Sequence, residues 1–183
     1  NRIHQEADRL VALINDILRL SQLDEGGALP HEQVSVLELA QEAARSLTAQ
    51  AAAQAVHISV TGTAGTVFGV RRLLYEIARN LCENAVKYNV PGGSVTVEVA
   101  ETDRDVTLLV RDTGIGIPEG DQSRVFERFY RVDKSHSRAI GGTGLGLSIV
   151  KHAVAYHHGA LRLESQPGKG TVITVTLPKE PTE

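Results

Sequence analysis

The sequence predicts an α+β fold: an α/β domain preceded by one long bundle helix. Three observations point there. Residues 1–25 repeat apolar side chains at helical spacing, several later segments alternate apolar and polar residues with the period of a strand, and Ala- and Leu-rich helical stretches lie between those strands. The chain has 183 residues, 42% of them hydrophobic, enough for one core-forming domain and a small appendage.

In the first segment Ile3, Ala7, Leu10, Ile14, Ile17 and Ser21 follow spacings of four and three, and Val11, Leu13 and Leu18 widen the stripe. So broad a stripe suits a helix in a bundle, and one helix cannot bury it alone. Gly26-Gly27 ends the helix and Pro30 blocks its restart, so residues 1–27 read as an incomplete helical unit. Residues 31–178 read as a separate α/β domain. Val34 to Val36 predicts a short strand, Leu37 to Gln54 a helix, Val56 to Val60 and Thr66 to Val70 two strands, and Val70 to Tyr88 a helix. Pro91-Gly92-Gly93 turns the chain into a strand carrying Val95, Val97 and Val99. Thr102 to Asp105 joins it to a second strand, Val106 to Val110. The long Gly-rich segment Asp112 to Gly146 holds one short helix around Glu119 to Phe129, and so long a loop in a compact domain is usually functional. A helix over Leu145 to His158 and two strands, Ala160 to Ser165 and Thr171 to Leu177, close the domain around a Pro167-Gly168 turn. Residues 179–183 read as a disordered tail.

A formal net charge of -3 argues against a nucleic-acid binder with a broad basic surface. The single cysteine, Cys82, sits in an apolar helical stretch and reads as a buried, inert thiol of a reducing compartment. No run of about 18 apolar residues, enough to span a membrane, occurs, and the opening residues do not read as a signal peptide. Opening within a helical pattern and without Met, the chain reads as a cytoplasmic fragment that makes no membrane contact itself, with room for an inner-membrane anchor in its parent.

Four constellations carry chemistry. Asn80, Asn84, Lys87 and Tyr88 share about a third of a helix circumference, beside the apolar arc of Ile77, Leu81 and Ala85. Amide oxygens suit a hard cation and a lysine can neutralise phosphate, although the same residues would also make a plain polar helix edge. Asp112-Thr113-Gly114-Ile115-Gly116-Ile117-Pro118 follows a strand. Its glycines let backbone approach a flat ligand and its carboxylate can accept from an exocyclic amine such as that of adenine; a Gly-rich turn with an exposed Asp is the alternative. Gly141-Gly142-Thr143-Gly144-Leu145-Gly146-Leu147 opens a helix whose free amides would attract phosphate. It follows no strand as a dinucleotide fingerprint should, and it lacks a Walker ending. Between these loops, Phe126 and Phe129 are spaced to pin a short helix. Arg128 or Arg131 either reaches a terminal phosphate or forms a solvated basic face.

In order and spacing these four resemble the N, G1, F and G2 boxes of sensor histidine kinases, over residues 31 to about 178. The leading helix resembles the second helix of that family's dimerisation domain through Leu10, Ile14, Asp16, Leu18, Leu20-Ser21, Leu23 and Gly26, and Phe126 to Asp133 followed by Gly141 to Val150 is similar to the phosphate-regulon sensor subgroup. The resemblance implies a two-layer α/β sandwich of the Bergerat type, holding ATP beneath a mobile lid. It implies that Asn84 coordinates Mg²⁺ with Asn80 assisting, Lys87 contacts phosphates, Tyr88 packs near the nucleotide, and Asp112 recognises the adenine amine in a pocket shaped by Gly114 and Gly116. Thr143, Gly144 and Gly146, with Leu145 and Leu147, would form the lid hinge and phosphate cradle. Glu83 matches the acidic position proposed as a base, and Arg131 is the candidate for reaching the γ-phosphate.

One departure stands out. The family's phosphoacceptor histidine sits in a His-acidic-aromatic or aliphatic-Arg-Thr-Pro setting, and none of the seven histidines here has it; His4 is followed by Gln5-Glu6-Ala7-Asp8. The expectation is therefore a fragment that binds ATP without phosphorylating itself. In the intact protein, the resemblance implies a homodimer that moves the γ-phosphoryl group to a histidine and then to an aspartate of a response regulator. The rival expectation is a GHKL-type conformational ATPase related to gyrase and MutL, in which a glutamate activates water.

Overall fold

The computed structural model describes Ile14, residues 29–132 and residues 143–180. The expected bundle helix, apart from Ile14, lies outside the described residues, as do Gly141, Gly142 and the last three residues of the expected tail; Ile14 itself is helical and exposed.

The described chain runs β1 (Glu32–Ser35), α1 (Val36–Ser46), α2 (Thr48–Ala53), β2 (His57–Gly62), β3 (Thr66–Gly69), α3 (Arg71–Lys87), β4 (Ser94–Glu101), β5 (Asp105–Asp112), α4 (Glu119–Gln122), α5 (Gly146–Tyr156), β6 (Ala160–Gln166) and β7 (Gly170–Pro178). Five strands form one sheet in the order β2-β4-β5-β7-β6, and β1 and β3 form a separate antiparallel pair. Only β2 and β4 run parallel; the remaining pairs of the large sheet are antiparallel.

Alternation explains the two layers. Val97 pairs with Val110, Val110 with Ile173, and Ile173 with Leu163, while Val99, Leu108, Val175 and Leu161 make the next apolar row. The β4, β5 and β7 members of these rows are buried against Leu73, Ile77, Leu81 and Ala85 of α3 and Val150, Ala153 and Val154 of α5. Each such side chain contributes about 1.5–3 kcal/mol when fully buried. A one-residue slip of any strand would turn its whole apolar set outward, so this register is strongly specified. The sheet thereby sets Asp112 at the end of its central strand, beside the C-terminal half of α3.

Three expectations need correction. The single helix over Leu37 to Gln54 breaks at Leu47, and Val36 begins α1 rather than ending a strand. The Ser46 hydroxyl donates to the Ala43 carbonyl (2.7 Å) and the Thr48 hydroxyl to that of Arg45 (2.9 Å), local bonds that compete with a continuous helical ladder. The helix over Glu119 to Phe129 stops at Gln122. Phe129 takes a left-handed φ of 66° and donates its N–H to the Gly144 carbonyl (2.9 Å), which no α-helix permits, and the residue is exposed rather than buried in the core. The expected tail is tied down at its start. Lys179 donates its N–H to the Arg104 carbonyl (2.8 Å), accepts from Phe68 N–H (2.9 Å) and ion-pairs with Glu101.

α3 and α5 are joined at their far ends by His157. This buried residue caps α5, and its Nε2 accepts from the Val70 N–H at the start of α3 (3.0 Å) while Nδ1 lies 2.7 Å from the Ala153 carbonyl. Acceptance at Nε2 places the ring proton on Nδ1. Burial holds the His157 pKa below its ordinary value of 6.5, the Ala153 bond opposes this, and the nearby His31 and His158 add to the lowering. In that window the unfolded chain binds more protons than the folded one, so stability rises with pH and is lost as pH falls below about 6.5. Thermal melts between pH 7 and 5 are expected to show this acid loss, and His157→Gln, which cannot titrate, is expected to flatten it; identical slopes would contradict the assignment.

Candidate functional site

The site is built around the last three turns of α3. Asn80, Asn84, Lys87 and Tyr88 are all partly exposed on one stretch of the helix surface, bordering the packed Ile77, Leu81 and Ala85. Cys82 lies on the packed side with its thiol pushed up to about 12 by burial, an inert group as its setting implies.

Lys87 Nζ sits 5.6 Å from the Tyr88 ring centroid. Burial lowers the Lys87 pKa, Glu83 one turn earlier raises it, and Arg131 lowers it further. The Tyr88 pKa is raised by burial first, with Arg131 lowering and Glu83 raising it. Arg131 therefore stands close enough to act on both residues, which brings the end of the loop segment to the α3 side chains. Glu83 pairs with Arg79 (3.4 Å), an i,i+4 bridge. The two bridge partners are about one third exposed, so the pair contributes little to stability.

The loop after β5 closes on the end of α3. Ile115 donates its N–H to the Tyr88 carbonyl (3.0 Å), and Gly114 lies against the same carbonyl. Asp112 Oδ1 accepts from the N–H of Gly114 (2.8 Å) and from that of Thr171 on β7 (3.2 Å). These bonds fix the carboxylate and leave Oδ2 to receive a ligand donor. Burial raises the Asp112 pKa and the two N–H bonds pull it back. Gly116 has φ +70°, and a Cβ there would lie 2.0 Å from the Gln166 carbonyl oxygen. Gly116→Ala is accordingly expected to destabilise the domain by about 2–3 kcal/mol, from backbone strain and displacement of the loop. A melting temperature within a degree of wild type would contradict this.

The glycine turn before α5 reaches α3 from the other side. A Cβ on Gly146 would come within 3.1 Å of Asn80 Oδ1 and 3.7 Å of Asn84 Nδ2. Gly146 thus lets the uncapped start of this 11-residue helix approach the two amides. The Thr143 hydroxyl accepts from Leu145 N–H (3.3 Å) and Gly144 holds Phe129. The Leu145 side chain is fully buried with Ile149, so only its backbone can meet a ligand, and Leu147 packs on the main core.

Several supporting residues escaped the sequence reading. Thr171 helps hold Asp112. Ser165 accepts from the Ile117 N–H (2.8 Å), and Gln122 Nε2 donates to the carbonyls of Ile117 and Ser165. Asn89 bridges the end of α3 to Ser94 and Thr113. Glu76, buried one turn before Asn80, accepts from that residue's amide. Only Glu76 and Asn89 had a sequence signal, their i−4 and adjacent spacing to the polar side of the helix.

As donors for Mg²⁺ the arrangement fits. Neutral amide oxygens at Asn80 and Asn84 suit a hard cation that takes its other oxygens from phosphates and water. The Asn80 oxygen is the end of the amide turned toward Gly146. The Asn84 amide makes no hydrogen bond among the described residues and can turn to a ligand.

The histidine kinase-, DNA gyrase B-, and HSP90-like ATPase family matches residues 69–181. The chain is 42% identical over 180 residues to the sensor-like histidine kinase SenX3 of Mycolicibacterium smegmatis, a match covering 96% of this chain and 46% of that protein. It is 35% identical to the sensor histidine kinase WalK of Bacillus subtilis, across 94% of this chain and 29% of that one. The chain thus spans less than half the length of these curated relatives. Among solved structures, the mycobacterial sensor histidine kinase MprB matches with a TM-score of 0.72 at 34% identity, over 84% of this chain and 100% of that one. Full-length ShkA in complex with AMPPNP matches with a TM-score of 0.81 at 27% identity, over 94% of this chain and 36% of that one.

Proposed function

The chain belongs to the histidine kinase-, DNA gyrase B- and HSP90-like ATPase family, and from that premise we propose that it is the ATP-binding catalytic part of a two-component sensor histidine kinase. In the intact, homodimeric protein the γ-phosphoryl group of ATP passes to a histidine and then to an aspartate of a response regulator. The observation that carries this reading is the convergence on one helix end: Gly114 and Ile115 against Tyr88 on one side, Gly146 against Asn80 and Asn84 on the other.

In this reading Asp112 Oδ2 accepts from the adenine amine, with Gly114 and Gly116 allowing the ring to approach the backbone. Tyr88 packs near the nucleotide. Lys87 and Arg131 neutralise phosphate charge, and the start of α5, with Thr143, Gly144 and Gly146, presents backbone N–H groups to it. Asn84, assisted by Asn80, would hold Mg²⁺, whose charge offsets that of the phosphate oxygens when bound. Glu83 lies one turn before Lys87 on the same side and is the candidate base. Phosphoryl transfer depends mostly on position and charge, which these groups supply. Among the described residues no helix is long and apolar enough to cross a membrane, and the parent's inner-membrane anchor belongs to this proposal.

Calorimetric titration of the 183-residue chain with ATP and Mg²⁺ tests the reading. Saturable binding with no label appearing on the chain from γ-labelled ATP is the expected outcome. Steady release of inorganic phosphate would favour a conformational ATPase, and absence of binding would remove the site altogether.

A further inference from the structure

Glu76 is an unusual residue for its place. It sits on α3 one turn before Asn80, only 8% exposed, beside the packed Leu73, Ile77 and Ala78. Asn80 Nδ2 donates to the Glu76 carbonyl oxygen (2.8 Å) and to its carboxylate Oε2 (3.2 Å). The other end of the same amide, Oδ1, is the atom facing Gly146 across the gap between α3 and α5.

An asparagine amide can turn over and exchange its oxygen for its nitrogen at little intrinsic cost. The two ends do opposite things at a phosphate-and-magnesium site: the oxygen can ligate a cation, whereas the NH₂ repels it. Resting on the nucleotide-binding reading above, we propose that Glu76 is a positioning residue that selects the cation-ready orientation of Asn80. In the observed orientation NH₂ faces two acceptors, the Glu76 carbonyl and its carboxylate, in a poorly solvated setting where such bonds are strong. Turned over, Oδ1 would face those same two oxygens and the NH₂ would face the nucleotide. Glu76 does not touch the ligand; it acts through the amide, as outer groups orient the ligands of a metal.

The experiment compares affinity for a non-hydrolysable ATP analogue with and without Mg²⁺ in wild type, Glu76→Leu and Glu76→Gln, with melting curves to establish folding. Outer groups of this kind typically change metal affinity by about 10- to 100-fold. Glu76→Leu should cut the Mg²⁺-dependent gain by about 10-fold and leave Mg²⁺-free affinity unchanged. Glu76→Gln, which keeps an acceptor, should restore most of the gain. A folded Leu variant with the full gain, or a Gln variant as poor as Leu, overturns the proposal while leaving nucleotide binding intact. Loss of nucleotide binding in wild type overturns both. A second measurement needs no variant: the Asn80 side-chain NH₂ protons of the wild-type chain should exchange with solvent more slowly than those of Asn84, and equal rates overturn the proposal.

Discussion

Replacing Asp112 with Asn is expected to weaken adenine-nucleotide binding by about 2–4 kcal/mol, roughly 30- to 1000-fold, without harming the fold. Oδ1 of Asp112 is committed to the N–H groups of Gly114 and Thr171. An asparagine must put its own oxygen there, because its NH₂ cannot accept. That places NH₂ where Oδ2 stood, donor against the donor amine of adenine. Asp112→Ala would merely remove an acceptor, whereas Asn adds a repulsion and would favour a base carrying a carbonyl at that position. The ATP-over-GTP preference should therefore shrink or invert in the Asn variant.

Stability should move the other way. Burial raises the Asp112 pKa in the folded chain, so the folded form holds its proton more tightly than the unfolded one. The ionised carboxylate costs stability at neutral pH, and this cost disappears as pH falls through the raised pKa. A neutral asparagine avoids the cost, so its melting temperature should equal or exceed that of wild type. Nucleotide affinity of wild type, which uses the ionised form, should instead fall as pH enters that window. A variant that binds ATP normally, or that fails to fold, would contradict this account of the carboxylate.

The second large effect is expected at Asn84. Asn84→Ala removes an amide oxygen from the helix face that meets Gly146, and should cost about 10- to 100-fold in Mg²⁺-dependent nucleotide affinity. The loss should be much smaller when Mg²⁺ is withheld, because the proposed adenine contact at Asp112 is untouched. Equal losses under both conditions would mean that Asn84 contacts the nucleotide directly rather than through the cation.

The sequence made the sheet legible because apolar residues recur at every second position, Val95, Val97 and Val99 in one strand and Val106, Leu108 and Val110 in the next, which reads as strand. It also made the polar side of α3 legible, since Asn80, Asn84, Lys87 and Tyr88 repeat at helical spacing beside an apolar arc. The break at Leu47 was hidden because it depends on hydroxyls of Ser46 and Thr48 choosing nearby carbonyls, a local competition that leaves the apolar periodicity unchanged. The end of α4 was hidden for the opposite reason. Phe129 adopts its left-handed backbone beside a bond to Gly144, 15 residues on, and no local preference encodes that. The groups that hold the loop after β5 were out of reach too: Thr171 and Ser165 act on it across sequence separations of 59 and 48 residues, which only the folded sheet closes.

We propose that three segments distant in sequence close on one magnesium nucleotide. Backbone amide NMR of the 183-residue chain, titrated with a non-hydrolysable ATP analogue and Mg²⁺, tests it directly. Shifts at Asn84–Tyr88, at Asp112–Gly116 and at Thr143–Leu147 should saturate together with a single dissociation constant. Shifts confined to one segment, or different constants for the three, would contradict it.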